Sequence, residues 1–415
     1  MPQSTARIPE LLAPAGSMQQ LETALHFGAD AVYGGMTQYG LRAFAGNFDA
    51  ESLKKAVSLC HAHHAKMYLT LNIFAFDDQI EGLIQAARYA KEIGVDAAIV
   101  SDLGVICALR EAVPELKLHV STQASTVNSR AVRMYHQLGC SRVILAREMS
   151  LERIRHMRSM IPDEMELETF VHGAACVAWS GRCLLSAELT GRNANQGACA
   201  QSCRWKYAVM EEKRPGEYMP VYEDNHGTYI FSAHDLNLMP YLDQLMEAGI
   251  SSLKIEGRMK TEYYTAVVTA AYRRALDLIR ESHEAYHAAI PELMLELENA
   301  SHRISDSGFL FGNPIQPGGA EGFHQSREYK ALALSDARAG EQALFVLKNR
   351  FSAGEDLELV TNHGVFAWKA STIHRMRTGE QLDTFGIGGE EISLQAPCEV
   401  QRGDMLRGVV RNHRT

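Results

Sequence analysis

No run of about 18 apolar residues occurs in the chain, so no transmembrane helix is expected. Its opening stretch, MPQSTARIPELLAPAG, lacks the apolar core of a secretory signal. A cytoplasmic, reducing location is therefore expected, where disulfides are disfavoured. The eight cysteines then read as buried thiols or metal ligands. Excess positive charge is also missing. A formal net charge of −9 argues against indiscriminate nucleic-acid binding, though it leaves room for a local cationic site. No G-x-G-x-x-G follows the first strand-like run, and Ser180 sits in WSGR without a G-x-S-x-G elbow. Those absences weigh against a dinucleotide-binding open sheet and a serine hydrolase. What is present is ordinary globular composition, 46% apolar and 22% charged, in 415 residues, enough for one large domain and a smaller one.

Short strand-like runs alternate with helical ones. The runs are ELLAPA, AVYGG, KMYLTLN, AAIVSD, KLHVSTQ, RVILARE, MELETFVHG and SLKIEGR. Ser17-Met-Gln-Gln20 fits a capping box. At Gly28, Gly94, Gly139 and Gly249 a helical segment ends on glycine and an apolar strand begins about three residues later, as a left-handed helix cap requires. Eight strands joined this way predict an α/β fold, a (β/α)8 TIM-like barrel spanning residues 1–310. A Cys-rich insertion, about 174–250, follows strand 7 and is expected to cover the C-terminal mouth of the barrel. It should contain a hairpin (KYAVMEE with TYIFSA) and a helix near Leu238–Ala248. An amphipathic helix over Thr261–Glu281 and a second around Pro291–His302 follow. A Gly/Pro-rich linker, 311–328, then leads to a small all-β domain, 329–415, barrel-like or a sandwich. That domain carries 11 basic and 11 acidic residues, so it is no generic basic clamp.

Chemistry concentrates in the insertion. Cys176, Cys183, Cys199 and Cys203 are spaced C-x6-C-x15-C-x3-C. Four thiolates suit either a tetrahedral zinc or a 4Fe–4S cluster, and spacing alone leaves both open, beside simple burial. Trp179, Leu184 and Leu185 are candidates to shield such a group. Over Cys176–Tyr207, Arg182, Arg192, Arg204 and Lys206 face a single carboxylate, Glu188. That excess offsets thiolate charge or serves an anionic partner such as RNA. At the strand ends fall Asn72, Asp102, Gln123, Arg147, Glu148, His172, Glu256 and Arg258, polar groups suited to line a pocket. His172 with Cys176 offers a thiol-protease pair, which leaves three cysteines unexplained. His283-Glu-Ala-Tyr-His287 matches the H-E-x-x-H zinc-protease pattern, but it falls at a helix end, far along the chain from the mouth and with no third ligand. Cys60, His63 and His64 read as a solvated helix end.

Glu168, Phe170, His172, Gly173, Cys176, Ser180, Gly181, Cys183 and Ser186 form the pattern E-x-F-x-H-G-x-x-C-x-x-x-S-G-x-C-x-x-S. It resembles the signature of the collagenase-like peptidase family. The family usually has Leu or Met before the first cysteine and an aromatic after it; here Ala175 and Val177 stand there. LLAPAGS, GADAVYGG, GRNANQGACAQSCRWKY, SLKIEGRMK and VLKNRFSAGEDLELV extend the likeness along nearly the whole chain. Within the family the full pattern is most similar to the bacterial prephenate-dependent tRNA uridine-5-hydroxylation branch. The resemblance implies formation of 5-hydroxyuridine at the wobble position of tRNA, with prephenate or a derivative as co-substrate. It implies a 4Fe–4S cluster on the four cysteines, with zinc as the alternative. Arg182, Arg192, Arg204 and Lys206 would then hold RNA phosphates while the target uridine turns out of its stack into the mouth. A peptidase is the alternative reading. A third is a non-catalytic tRNA-binding subunit acting with a homologous partner.

Overall fold

Alternating short apolar strands and one-sided helices bury their faces best by closing on themselves, and the chain does so. A computed structural model describes residues 8–37, 47–176, 178–204, 222–224, 227–229, 234–312, 323–370, 373–385 and 388–410. Eight parallel strands form the barrel: β1 (Glu10–Pro14), β2 (Ala31–Gly35), β3 (Lys66–Leu71), β4 (Ala97–Val100), β5 (Lys117–Val120), β6 (Arg142–Ile144), β7 (Glu166–Ala174) and β8 (Ser252–Ile255). Each pairs in parallel with the next, and β8 pairs with both β7 and β1, which closes the ring. All eight expected strands are present. The four expected glycines hold φ of 90°, 89°, 80° and 84° at Gly28, Gly94, Gly139 and Gly249. A side chain at those angles would be strained, so glycine is what lets each helix turn directly into a strand.

Half of the expected capping box forms. Ser17 Oγ accepts from Gln20 N at 3.2 Å. The Gln20 amide instead donates to the carbonyls of Gly257 (3.2 Å) and Lys260 (2.7 Å), tying the first helix to the loop after β8.

The floor of the barrel is ionic. Arg142 donates to Glu10 (2.7 Å) and Glu168 (2.9 Å), and Lys66 pairs with Glu10 at 2.7 Å. Lys254 Nζ lies 3.1 Å from Glu168 Oε1. Glu10, Lys66 and Arg142 all sit at strand starts, so this paired network plugs the end opposite the mouth. Buried charges are tolerable only when matched and bonded in this way.

β7 departs from regularity. Its register with β8 shifts between Lys254 and Ile255, which oppose Phe170 and His172 respectively. Beyond the bulge, β7 pairs antiparallel with an extra strand, Asp235–Asn237. In the insertion, Gly227–Tyr229 pairs with Tyr222–Asp224; the KYAVMEE half of the expected hairpin lies outside the described residues. A helix, Leu242–Glu247, sits where one was expected.

The helix expected around Pro291–His302 begins earlier, as His283–Leu297, directly after Glu262–Glu281. Ser282 ends one, its N–H donating to the Leu278 carbonyl (2.9 Å), and caps the other, its hydroxyl accepting from Ala285 N (3.0 Å). The H-E-x-x-H stretch therefore opens a helix rather than closing one. His287 Nε2 lies 2.9 Å and His283 Nδ1 4.0 Å from Asp243 Oδ2. No helix among the described residues is long and apolar enough to cross a membrane.

Most of the linker, residues 313–322, lies outside the described residues; His324 bridges to His302, and the next strand starts at Arg327. The C-terminal part is an eight-stranded antiparallel sheet with its own core around Phe345, Leu359, Trp368 and Ile392. It docks on the barrel helices. Arg407, 3% exposed, makes a forked pair with Glu296 (2.5 and 2.9 Å) and reaches Glu358 at 2.6 Å. Tyr263 stacks on Tyr329, and His26 Nε2 lies 2.8 Å from Asp404.

A candidate active site at the barrel mouth

The C-terminal strand ends and the cysteine segment enclose one cavity of about 450 Å³. Asn72, Gln123, Arg147, Glu148, Glu256 and Arg258 line it, as do Cys176, Cys183, Cys199 and Cys203. Asp102 does not; it caps the next helix by accepting from Val105 N at 3.0 Å.

His172 also stands apart. The bulge in β7 turns its ring toward the outer helix, 5.5 Å from the Tyr272 ring and 6.0 Å from Tyr264. Its Nδ1 lies 3.4 Å from Tyr272 Oη. Burial pushes its pKa down to about 3, so it is a neutral packing partner near pH 7. Among the described residues no hydrogen bond joins it to Cys176.

The mouth is assembled by contacts between loops. Both carboxylate oxygens of Glu148 hold Ser180, one accepting from its N–H (2.8 Å) and one from its hydroxyl (3.0 Å). The Ser125 hydroxyl donates to the Ser180 carbonyl. Gly181, at φ 73°, packs so closely that a Cβ would stand 2.1 Å from the Gln123 carbonyl oxygen. Glycine and serine between Cys176 and Cys183 are therefore what allow this segment to seat on the ends of β5 and β6. Glu148 thereby fixes the segment that carries the thiols.

Inside the cavity, the Arg147 guanidinium lies over the Phe170 ring at 4.1 Å and 3.8 Å from Glu256, while its buried Nε has no hydrogen-bond partner among the described residues. Arg258 donates to Thr70 Oγ1 at 3.0 Å, and Gly35 leaves it room, since a Cβ there would lie 2.7 Å from the guanidinium. Lys254, over the Tyr33 ring at 4.2 Å, was not anticipated; its burial lowers its pKa, with Glu168 opposing. Its period-2 relation to Glu256 in SLKIEGR is the signal that places it on the inner face. Phe170, Tyr33 and the His234–Asp306 pair, 2.7 Å apart, also line the space without having been anticipated.

Cys176 is exposed; Cys183, Cys199 and Cys203 are partly buried. Burial raises the Cys183 pKa, and the neighbouring Cys176 and Cys199 add to that, while Leu185 and Ser186 N–H groups oppose it. Gln201 N–H donates to Cys199 Sγ at 3.4 Å. Four sulfurs line one cavity, two of them accepting backbone N–H groups, and thiolate is the donor type that holds zinc or an iron–sulfur cluster. Among the described residues, no three His, Cys, Asp or Glu side chains converge closely enough to enclose a metal ion in this arrangement. Trp179 and Leu185 line the cavity; Leu184 faces outward, 71% exposed.

Of the cations, Arg182 is exposed beside the mouth. Arg192 ties down the thiol loop through the carbonyls of Ala198 (3.1 Å) and Cys199 (3.4 Å). Arg204 closes a 3-10 turn, Ser202–Arg204; its side chain, and Lys206 altogether, lie outside the described residues.

Fold and site together define a TIM-barrel protein whose mouth is roofed by a four-thiol segment. The chain belongs to peptidase family U32, whose family model matches residues 16–318. It is 37% identical to the tRNA hydroxylation protein P of Escherichia coli, over 95% of each chain. It is 36% identical to the tRNA hydroxylation protein P1 of Bacillus subtilis, over 84% of this chain and 83% of that one. The 23S rRNA 5-hydroxycytidine C2501 synthase of Escherichia coli is 31% identical over 89% of this chain and 55% of its own length.

Proposed function

We propose that this chain is an RNA-modifying enzyme that hydroxylates C5 of the wobble uridine of tRNA, with prephenate or a derivative as co-substrate. The observation that carries the reading is the meeting of four thiols with six polar strand-end side chains in one cavity large enough for a nucleobase. The names of the relatives, which concern tRNA and rRNA, support RNA as the substrate class.

A uridine turned out of its stack would enter this cavity, with the amides of Asn72 and Gln123 among its polar lining. Arg258, Lys254 and Lys260 give the same cavity the cations that a carboxylate-bearing co-substrate needs. Cys176, Cys183, Cys199 and Cys203 would hold a 4Fe–4S cluster, which supplies electron transfer or a Lewis-acidic iron. Glu148 and Gly181 position the segment bearing those thiols.

The peptidase reading needs His172 beside Cys176, and the bulge in β7 directs that ring to Tyr272 instead. Anaerobic purification followed by iron, sulfide and zinc analysis tests the cluster. Reconstitution with a tRNA transcript tests the activity: hydroxylation by this chain alone supports an enzyme, and a strict need for a homologous second subunit supports the partner-subunit reading.

A further inference from the structure

A second groove, of about 440 Å³, lies beside the mouth, across Gly181 and Asn195, which border both spaces. Phe74, Phe76, Arg182, Leu184 and Asn193 are among the residues that form its walls. Three features need explaining. Phe76 and Leu184 are 63% and 71% exposed, although each has an apolar side chain that burial would favour. The Arg182 guanidinium has no hydrogen-bond or ion-pair partner among the described residues, and no carboxylate lines the groove. The walls are also held rigid. Phe74 N–H donates to the Asn195 carbonyl (3.1 Å), the Gln196 amide donates to the Phe74 carbonyl (2.8 Å), and the Asn195 amide donates to the Cys183 carbonyl (3.3 Å).

An exposed aromatic face, an unopposed guanidinium and fixed amides around a slot are what an unpaired nucleotide requires: a stacking platform and a phosphate partner. We propose that this groove binds the nucleotide adjacent to the modified one, its base stacked on Phe76 and its phosphate near Arg182. The inference rests on the RNA reading and deepens it. Because Gly181 and Asn195 form a shared wall, a base seated here would hold the strand while the neighbouring base enters the thiol-lined cavity. Stacking is tolerant of sequence, so the groove contributes affinity and register rather than base identity.

The test is a double-mutant cycle between protein and RNA, read by fluorescence anisotropy with the full-length chain. Wild type and Phe76→Ala are titrated with an anticodon stem-loop and with versions abasic at either nucleotide flanking the wobble position. Either change alone is expected to weaken binding roughly tenfold. Both together should weaken it little further, at one flanking position only, and Phe76→Tyr should bind like wild type. Arg182→Gln should reduce the dependence of log affinity on log salt by about one ion. Independent, multiplicative effects of Phe76→Ala and the abasic sites overturn the groove while leaving the RNA reading intact. A wild-type chain with no affinity for the stem-loop overturns both.

Discussion

Replacing Glu148 by alanine should loosen the thiol segment without unfolding the barrel. Glu148 is 8% exposed, and its two oxygens accept from Ser180 N and Oγ at 2.8 and 3.0 Å, between Cys176 and Cys183. Hydrogen bonds to a charged group contribute about 1.5–3 kcal/mol each, and they are not additive here because both end on one residue. A combined loss of about 3 kcal/mol raises local opening on the order of a hundredfold. Glu148→Gln keeps both contacts in neutral form, its amide oxygen accepting from Ser180 N–H and its amide nitrogen donating to the hydroxyl. It should cost only about 1 kcal/mol. The assay is iodoacetamide alkylation of the reduced, metal-free protein, with each cysteine quantified by peptide mass spectrometry. Cys183 should react much faster in Glu148→Ala and slightly faster in Glu148→Gln. Cys60, fully buried with its thiol pushed up to about 12, is the internal reference and should stay unreactive in all three proteins. Unchanged alkylation of Cys183, or equal acceleration at Cys60, would refute the reasoning.

Gly181→Ala would drive a Cβ to 2.1 Å from the Gln123 carbonyl at φ 73°, so it should accelerate Cys183 alkylation as Glu148→Ala does. Gly191→Ala, at φ 69° with nothing within 4 Å, should cost only about 1 kcal/mol and leave that rate nearly unchanged. Arg407→Met should lower stability by about 3–5 kcal/mol in denaturant titration, because Glu296 and Glu358 lose a buried partner; a shift under 1 kcal/mol contradicts the ionic joint. For pH, His172 titrates near 3 in the fold against an ordinary 6.5, so as pH falls the unfolded chain takes the proton first. Its contribution is fully present above about pH 6.5 and declines toward pH 3, by up to about 1.4 kcal/mol per unit. His172→Gln should flatten that part of the slope between pH 7 and 5; an unchanged slope contradicts the burial.

The barrel could be read from local chemistry because each joint repeats it: a helix, a left-handed glycine, a short apolar strand. Gly28, Gly94, Gly139 and Gly249 carry that information individually. The cavity was readable to the same extent, since strand-end polar residues and a post-β7 insertion are brought together by the barrel's geometry. Residues governed by tertiary contacts were not. His172 follows the strand period of MELETFVHG, and only a register shift against β8 turns it outward. Glu148 resembles any strand-end carboxylate until Ser180 arrives from 32 residues away. Lys254 and Glu168 break the apolar pattern of their strands because they neutralise each other inside the barrel.

The most direct measurement is mass spectrometry of tRNA nucleosides from cells lacking the gene, complemented with wild type or Cys199→Ala. The account predicts that 5-hydroxyuridine and its derivatives disappear without the gene, return with wild type and stay absent with Cys199→Ala at equal protein levels. Full hydroxylation in the Cys199→Ala strain, or in cells lacking the gene, would contradict it.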